Sequence, residues 1–300
     1  MLRDQITEAL KKVVLKKVTL EEAGMFLNDL EKRAGNKGQI CNLLCDMYRA
    51  LLLQDTHART LLNIVAHANN PNFNSVLILG LEHPDESAGL AALEGMARYK
   101  DEAAKAALLL QLENSSPHIR MLAGEMIINK WGVEGVKIMI TSGLCSPDPD
   151  VINAARSILA EYGVVAVPLV IDAMASMSMV SLRAAAKLLL ELNESVDIAD
   201  CIGKGHLKKI LQVLQIVADK KQPDLVISVL ELLNAFKNRL AGYEENIAVM
   251  MYFEHPTINL VAHKVLSRIN TDRSRQLLSA VKIPLAGGGY IIDQPLPPKK

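Results

Sequence analysis

The sequence predicts an all-α fold, an α-solenoid of about eight antiparallel helix pairs. Three observations predict it. First, a helical pattern opening at Pro117 (Ile119, Leu122, Ala123, Met126) returns at Pro149 (Val151, Ala154, Ala155, Ile158), so that its anchor residue recurs 32 positions later, with one shorter apolar helix, 133–142, between the two. Second, related anchors stand near that period elsewhere: Ala58 with Leu62, Ala88 with Ala92, Leu182 with Ala186, Leu225 with Val229 and Ile258 with Ala262. A fixed period of this length is the signature of stacked helical units that bury their apolar faces only against neighbours. Third, half of the 300 residues are hydrophobic but only 4% are aromatic. Small and aliphatic side chains favour close helix–helix contact over a large ligand cavity.

The elements follow in order. Residues 2–17 form an amphipathic helix ending in Lys16 and Lys17, cations that suit a helix C-terminus. Thr19 and Glu22 make a capping box for the next helix, to Arg33, which Gly35 stops. This pair, residues 1–37, reads as an end cap. Regular repeats fill 38–193: helices at 39–53 and 56–69, 72–81 and 84–99, 102–113 and 116–130, then 133–142 with the helix opening at Pro149, then 164–176 and 179–193. Prolines precede the anchors by two at Pro117, Pro149, Pro223 and Pro256, where the missing N–H costs a first helical turn nothing. The spacing then stretches from 30–32 to 43. The extra residues lie in 194–206, where Asp197, Gly203 and Gly205 signal a loop or short turn and a bend in the stack. Helices resume at 206–219, 223–237, 240–252, 255–270 and 272–282, completing a C-terminal block of 207–282. The tail, 283–300, holds Gly287–Gly289 and prolines 284, 295, 297 and 298, and cannot continue as a helix.

Composition narrows the function. Lys plus Arg equals Asp plus Glu at 33 each, so nothing in the net charge points to nucleic acid or an anionic membrane. No run approaches the ~18 apolar residues of a membrane span. Met1–Asp4 leads into charged residues rather than an apolar leader. Four cysteines, Cys41, Cys45, Cys145 and Cys201, are too few and scattered for a disulfide framework. A reducing, cytoplasmic setting is expected.

The stretches Pro147-Asp148-Pro149-Asp150-Val151, with Ala154-Ala155, and Ser181-Leu182-Arg183-Ala184-Ala185-Ala186 resemble the HEAT-repeat family in its short-repeat form, found in phycobilisome lyases and related bacterial proteins. The resemblance covers about 38–270 and implies an armadillo/HEAT-like fold. An arginine after the anchor recurs at Arg59, Arg120 and Arg183, a partial form of the family's aspartate–arginine ladder. The resemblance also implies that the second helix of each pair lines a concave inner face. Its inward positions lie two and six after the anchor: Leu90 and Glu94, Met121 and Glu125, Asn153 and Ser157, Ala184 and Leu188, Ile227 and Glu231, Leu260 and Lys264.

Other chemistry finds little support. Cys41 and Cys45 share a helix face but would be only half of a zinc site, and buried Cys is a common core residue. None of the seven histidines is followed by glutamate, as the iron-binding deoxyhypusine hydroxylase branch of the family requires. His83 and His255 stand in Glu-His-Pro and read as turn residues or caps. A single tryptophan, Trp131, and a neutral charge argue against the alkylpurine glycosylase branch. Lys204, Lys208, Lys209, Lys220 and Lys221 read as a solvated face or, alternatively, an anionic-partner patch. Met174, Met177 and Met179 crowd one turn, with at least one expected in the core. The expected function is therefore a non-enzymatic protein-binding scaffold without cofactors, using Glu94, Met121, Leu122, Glu125, Leu188, Ile227 and Glu231. Its expected partner is a protein with a basic amphipathic segment. A lyase-like enzyme or subunit is the alternative, and nucleic-acid binding through the lysines a weaker third reading.

Overall fold

The computed structural model describes residues 2–34, 38–51, 55–99, 101–284 and 290–292. The fold is all-α, and its helix pairs stack as in a solenoid within each of two compact units, Met1–Met139 and Ile140–Lys300. The first unit holds α1 (Leu2–Val14), α2 (Leu20–Arg33), α3 (Gln39–Leu51), α4 (Asp55–Ala68), α5 (Asn74–Leu81), α6 (Glu86–Met96), α7 (Glu102–Leu110), α8 (Pro117–Trp131) and α9 (Val133–Ile138). The second holds α10 (Pro149–Glu161), α11 (Ala166–Met174), α12 (Met179–Ser195), α13 (Lys204–Asp219), α14 (Pro223–Asn234), α15 (Glu244–Ala248), α16 (Pro256–Ile269) and α17 (Asp272–Ser279).

The second helices form the spine of each unit. In the first, α2, α4, α6 and α8 pack in succession, with α5 seated on α4 and α6 and α7 on α6 and α8. In the second, α10, α12, α14 and α16 pack in succession, with α13 on α14 and α15 on α16. All seven anchors are at most 2% exposed, and the residues four later (Leu62, Ala92, Ala123, Ala155, Ala186, Val229, Ala262) are completely buried. Each helix turns one stripe of about 3.6-residue period inward, and a small residue there lets the backbones approach.

Local chemistry fixes where helices begin. Asp85, Asp101, Ser116, Asp148 and Ser178 each sit extended before a helix and accept an amide hydrogen bond from its first turn. Prolines 117, 149, 223 and 256 occupy the first helical turn, where no intrahelical amide bond is lost. The Thr19–Glu22 capping box is complete, with Thr19 N donating to Glu22 at 2.9 Å and Glu22 N to the Thr19 hydroxyl at 3.2 Å.

Three expectations change. The helix expected over 133–142 is α-helical only to Ile138 and continues as a π-helical turn, Met139–Leu144. The helix expected over 240–252 shrinks to α15, flanked by 3-10 turns at Lys237–Leu240 and Val249–Tyr252. The helix expected to reach 282 stops at Ser279, and Val281–Pro284 pairs antiparallel with Tyr290–Ile292. Val281 and Ile283 are β-branched and precede a proline, so the segment prefers extended backbone. This ribbon is the sole strand structure among the described residues. Gly35, Gly287–Gly289 and prolines 295, 297 and 298 lie outside them.

The insert at 194–206 is partly packed. α12 runs on to Ser195, Asp197 caps a 3-10 turn at Ile198–Cys201, and Ile198 and Ala199 are buried. Arg239 holds the turn from the next pair, donating to the Ala199 carbonyl and pairing with Asp200 at 2.7 Å. No single described helix is long and apolar enough to cross a membrane, and the one pair that would suffice, 149–161 with 163–174, is bent by 114°.

Candidate protein-docking face

With the anchor stripe buried, part of the opposite face of the second helices is open. Positions two and six after the anchor lie about 200° and 240° around the helix from it. Of the residues expected there, Glu94, Asn153, Ser157, Glu231, Leu260 and Lys264 are exposed, and Leu90, Met121, Glu125, Ala184 and Ile227 are half-buried. Leu122, one position away, is also half-buried. Leu188 is corrected: it is fully buried, so it is a core residue and cannot meet a partner. In α12 the buried stripe extends to that side, joining Leu188 to Ala185 and Leu192 in the core.

Glu94 lies on α6, and Met121, Leu122 and Glu125 on α8, which packs against it. Ile227 and Glu231 lie on α14 in the other unit. Among the described residues, Glu94, Glu125 and Glu231 have no ion-pair partner, whereas many other carboxylates are committed. Glu86 accepts a hydrogen bond from the Ser116 hydroxyl and stands 3.9 Å from His118 Nδ1. Glu191 pairs with Arg156, Asp172 with Lys209 at 2.7 Å, and Glu245 with Arg273 at 2.6 Å. The Arg273 hydrogen bond holds the Glu245 carboxyl below its ordinary pKa, against the opposing effect of burial.

Two residues escaped the sequence reading. The first pair, read there as a plain cap, continues the spine: Ala23 and Leu27 of α2 are buried as an anchor pair, and α2 packs on α4. Met25, 69% exposed, and Asp29, also exposed, therefore hold the positions two and six after an anchor. The signal was present as Ala23-x-x-x-Leu27, 35 residues before Ala58. Position six thus carries a carboxylate in α2, α6, α8 and α14.

Links at the helix ends keep neighbouring second helices in register. Asn28 Nδ2 donates to the Ala68 carbonyl at 2.7 Å, and Asn70 Nδ2 to Asn28 Oδ1 at 3.0 Å. Lys130 caps the end of α6, donating to the carbonyls of Met96 (2.8 Å) and Tyr99, as lysines at C-terminal carbonyls do. Two of the ladder arginines behave differently. Arg59 reaches Ser87 at 3.4 Å, but Arg120 turns back to the Asn114 and Ser115 carbonyls of its own loop.

The other candidates resolve as packing. Cys41 and Cys45 are buried on α3, and among the described residues no group of three His, Cys, Asp or Glu is placed to hold a metal ion. The hydrogen bond between the two thiols, with burial, pushes Cys41 up, while the same bond draws Cys45 down to about 7. His83 is buried against the Tyr48 ring and accepts the Asp85 amide at 3.0 Å, a turn residue as expected. Met174 and Met177 are core. Trp131 sits between Lys105 and Lys130, whose ammonium groups lie 5.9 and 5.6 Å from its ring. Lys209 is paired with Asp172, while Lys204, Lys208, Lys220 and Lys221 are exposed.

Neither a protein-family model nor a curated protein sequence matches the chain. Among solved structures it is similar to an engineered protein, at 12% identity and a TM-score of 0.34 over 82% of this chain and 96% of that one. It is also similar to the karyopherin Kap121p bound to the extreme C-terminus of the phosphatase Cdc14p, at 11% identity and a TM-score of 0.34 over 90% of this chain and 38% of the karyopherin.

Proposed function

We propose that the chain is a HEAT-like scaffold that binds a protein partner on the open face of its second helices, and that the partner presents a basic amphipathic segment. One observation carries this reading. Glu94 and Glu125 hold the same repeat position on adjacent packed helices, are accessible, and have no ion-pair partner among the described residues, with Met121 and Leu122 on the same stretch of α8. Apolar contact bordered by charge is how protein interfaces are built. Carboxylates left unpaired on one face would orient an approaching cationic segment and speed its encounter. Glu231 with Ile227 offers the same pairing on the second unit.

The test is capture from native lysate by the immobilised wild-type chain and by Glu94→Lys/Glu125→Lys. Proteins retained by the wild type and lost by the reversal, at equal helix content, support this face. Identical capture by both chains would rule it out.

A further inference from the structure

Cys41 and Cys45 fill core positions on α3, but packing alone does not account for the surroundings of Cys45. α3 lies against α5, and residues of both helices line a cleft of about 620 Å³. Cys45 forms part of its wall, with Asp46 and Arg49 of α3 and Ser75 of α5. Cys41, Cys45 and Arg49 follow one another at intervals of four on one helix, so they share a face, each one turn from the next. Cys45 therefore stands between a thiol donor on one side and a guanidinium on the other.

The hydrogen bond from the Cys41 thiol, helped by the Arg49 charge, outweighs burial and the Asp46 carboxylate and draws Cys45 down to about 7. Asp46 also pairs with Arg49 at 3.3 Å, but both side chains are exposed and water screens the pair. Cys145 and Cys201 are more open than Cys45, yet neither has this environment. Desolvation holds Cys145 above the ordinary thiol pKa, and desolvation with Asp200 and Asp197 does so for Cys201. The thiolate, not the thiol, attacks a disulfide, and a thiol that ionises near the ambient pH attacks best.

We propose that Cys45, set up by Cys41 and Arg49, is a thiol-exchange site for a small disulfide that carries carboxylates. The Cys45 thiolate attacks one sulfur of that disulfide and forms a new S–S bond. The old S–S bond breaks, and the departing half leaves as a thiolate that takes a proton from water. The protein thiolate is oxidised, the departing half is reduced, and the electrons balance. The retained half occupies the cleft, with its carboxylate on Arg49. Cys41 is a positioning residue and does not resolve the adduct. Four residues of α-helix rise about 6 Å, so two side chains stacked on one face have Cβ atoms about that far apart. A disulfide needs about 3.5–4.5 Å. Closing Cys41 onto Cys45 would unwind a turn of α3, so the adduct persists until an external thiol removes it.

The test is to incubate the full chain with glutathione disulfide near neutral pH, quench with acid, and locate adducts by peptide mass spectrometry. Cys45 is expected to be modified about tenfold or more faster than the more open Cys145 and Cys201. Its rate is expected to rise with pH through a midpoint of about 7. Modification of Cys145 or Cys201 ahead of Cys45 would overturn the proposal, and so would a Cys41–Cys45 disulfide as the product. Cys41→Ala is expected to move the pH midpoint upward, and an unmoved midpoint would show that Cys41 does not set up the site. Arg49→Gln is expected to slow the reaction with glutathione disulfide more than that with uncharged hydroxyethyl disulfide. Equal slowing of both reagents would overturn the assignment of a carboxylate-bearing ligand.

Discussion

Gly24 lies directly against the backbone of Ala68. A Cβ placed on Gly24 would stand 2.7 Å from the Ala68 amide nitrogen and 2.8 Å from the His67 carbonyl carbon. Both partners are backbone and cannot rotate aside, so α2 and α4 approach this closely only because residue 24 has no side chain. Gly24→Ala is expected to push the two helices apart and destabilise the first unit by about 1–3 kcal/mol, despite the better helix propensity of alanine. Denaturant unfolding checks it. A variant as stable as the wild type would mean the contact is looser than described.

Ala155, four after the anchor Val151, is a small position in the second unit and is completely buried. Ala155→Leu inserts a large side chain where neighbouring helices meet, and is expected to cost about 1–3 kcal/mol. An unchanged midpoint in chemical denaturation would contradict the repeat register.

The insert after α12 is held by Arg239 through Ala199 and Asp200. Arg239→Ala should free the 3-10 turn and leave the exposed Lys204 open to trypsin, since proteolysis follows local opening. Cleavage at Lys204 is expected to come before cleavage within 84–193 and to be faster in the variant. The same cleavage rate in both chains would show that Arg239 does not secure the turn.

Stability should fall with acid in two stages. Burial holds the His263 imidazole below its ordinary pKa. As pH drops through about 6.5 the unfolded chain takes up this proton first, and stability declines. The Ser87 amide and hydroxyl hold Asp85 below the usual carboxylate range, Thr19 does so for Glu22, and Arg273 for Glu245. Their contributions are complete above about pH 4 and are lost as pH falls through the lowered folded values. Thermal midpoints measured from neutral pH downward check both stages, and Asp85→Asn should lose less than the wild type in the second.

Much of the fold is legible in the residues. The anchors and the small residues four later, such as Ala123 and Ala186, mark the buried stripe, because close backbone approach restricts residue size wherever the unit is placed. The caps at Thr19, Ser116 and Asp148 are local chemistry and read directly. What is not legible depends on which neighbour covers a residue. Leu188 and Glu94 occupy the same repeat position, yet one is buried and the other open. The amphipathic pattern of α1 shows that one face must be covered, but not that α2 and α4 cover it. Position six in α2 was hidden because Ala23 falls 35 rather than 30–32 residues before the next anchor.

The most direct test of the docking account is the salt-dependent affinity of a purified captured partner for the wild-type chain and for Glu94→Lys/Glu125→Lys. Exposed Lys and Glu have similar helix propensity, so helix content should be unchanged. At low salt the reversal is expected to weaken binding by about tenfold or more, and the gap should narrow at high salt as screening takes over. Equal affinity of the two chains at low salt would contradict the account, because the partner would then make no use of this face.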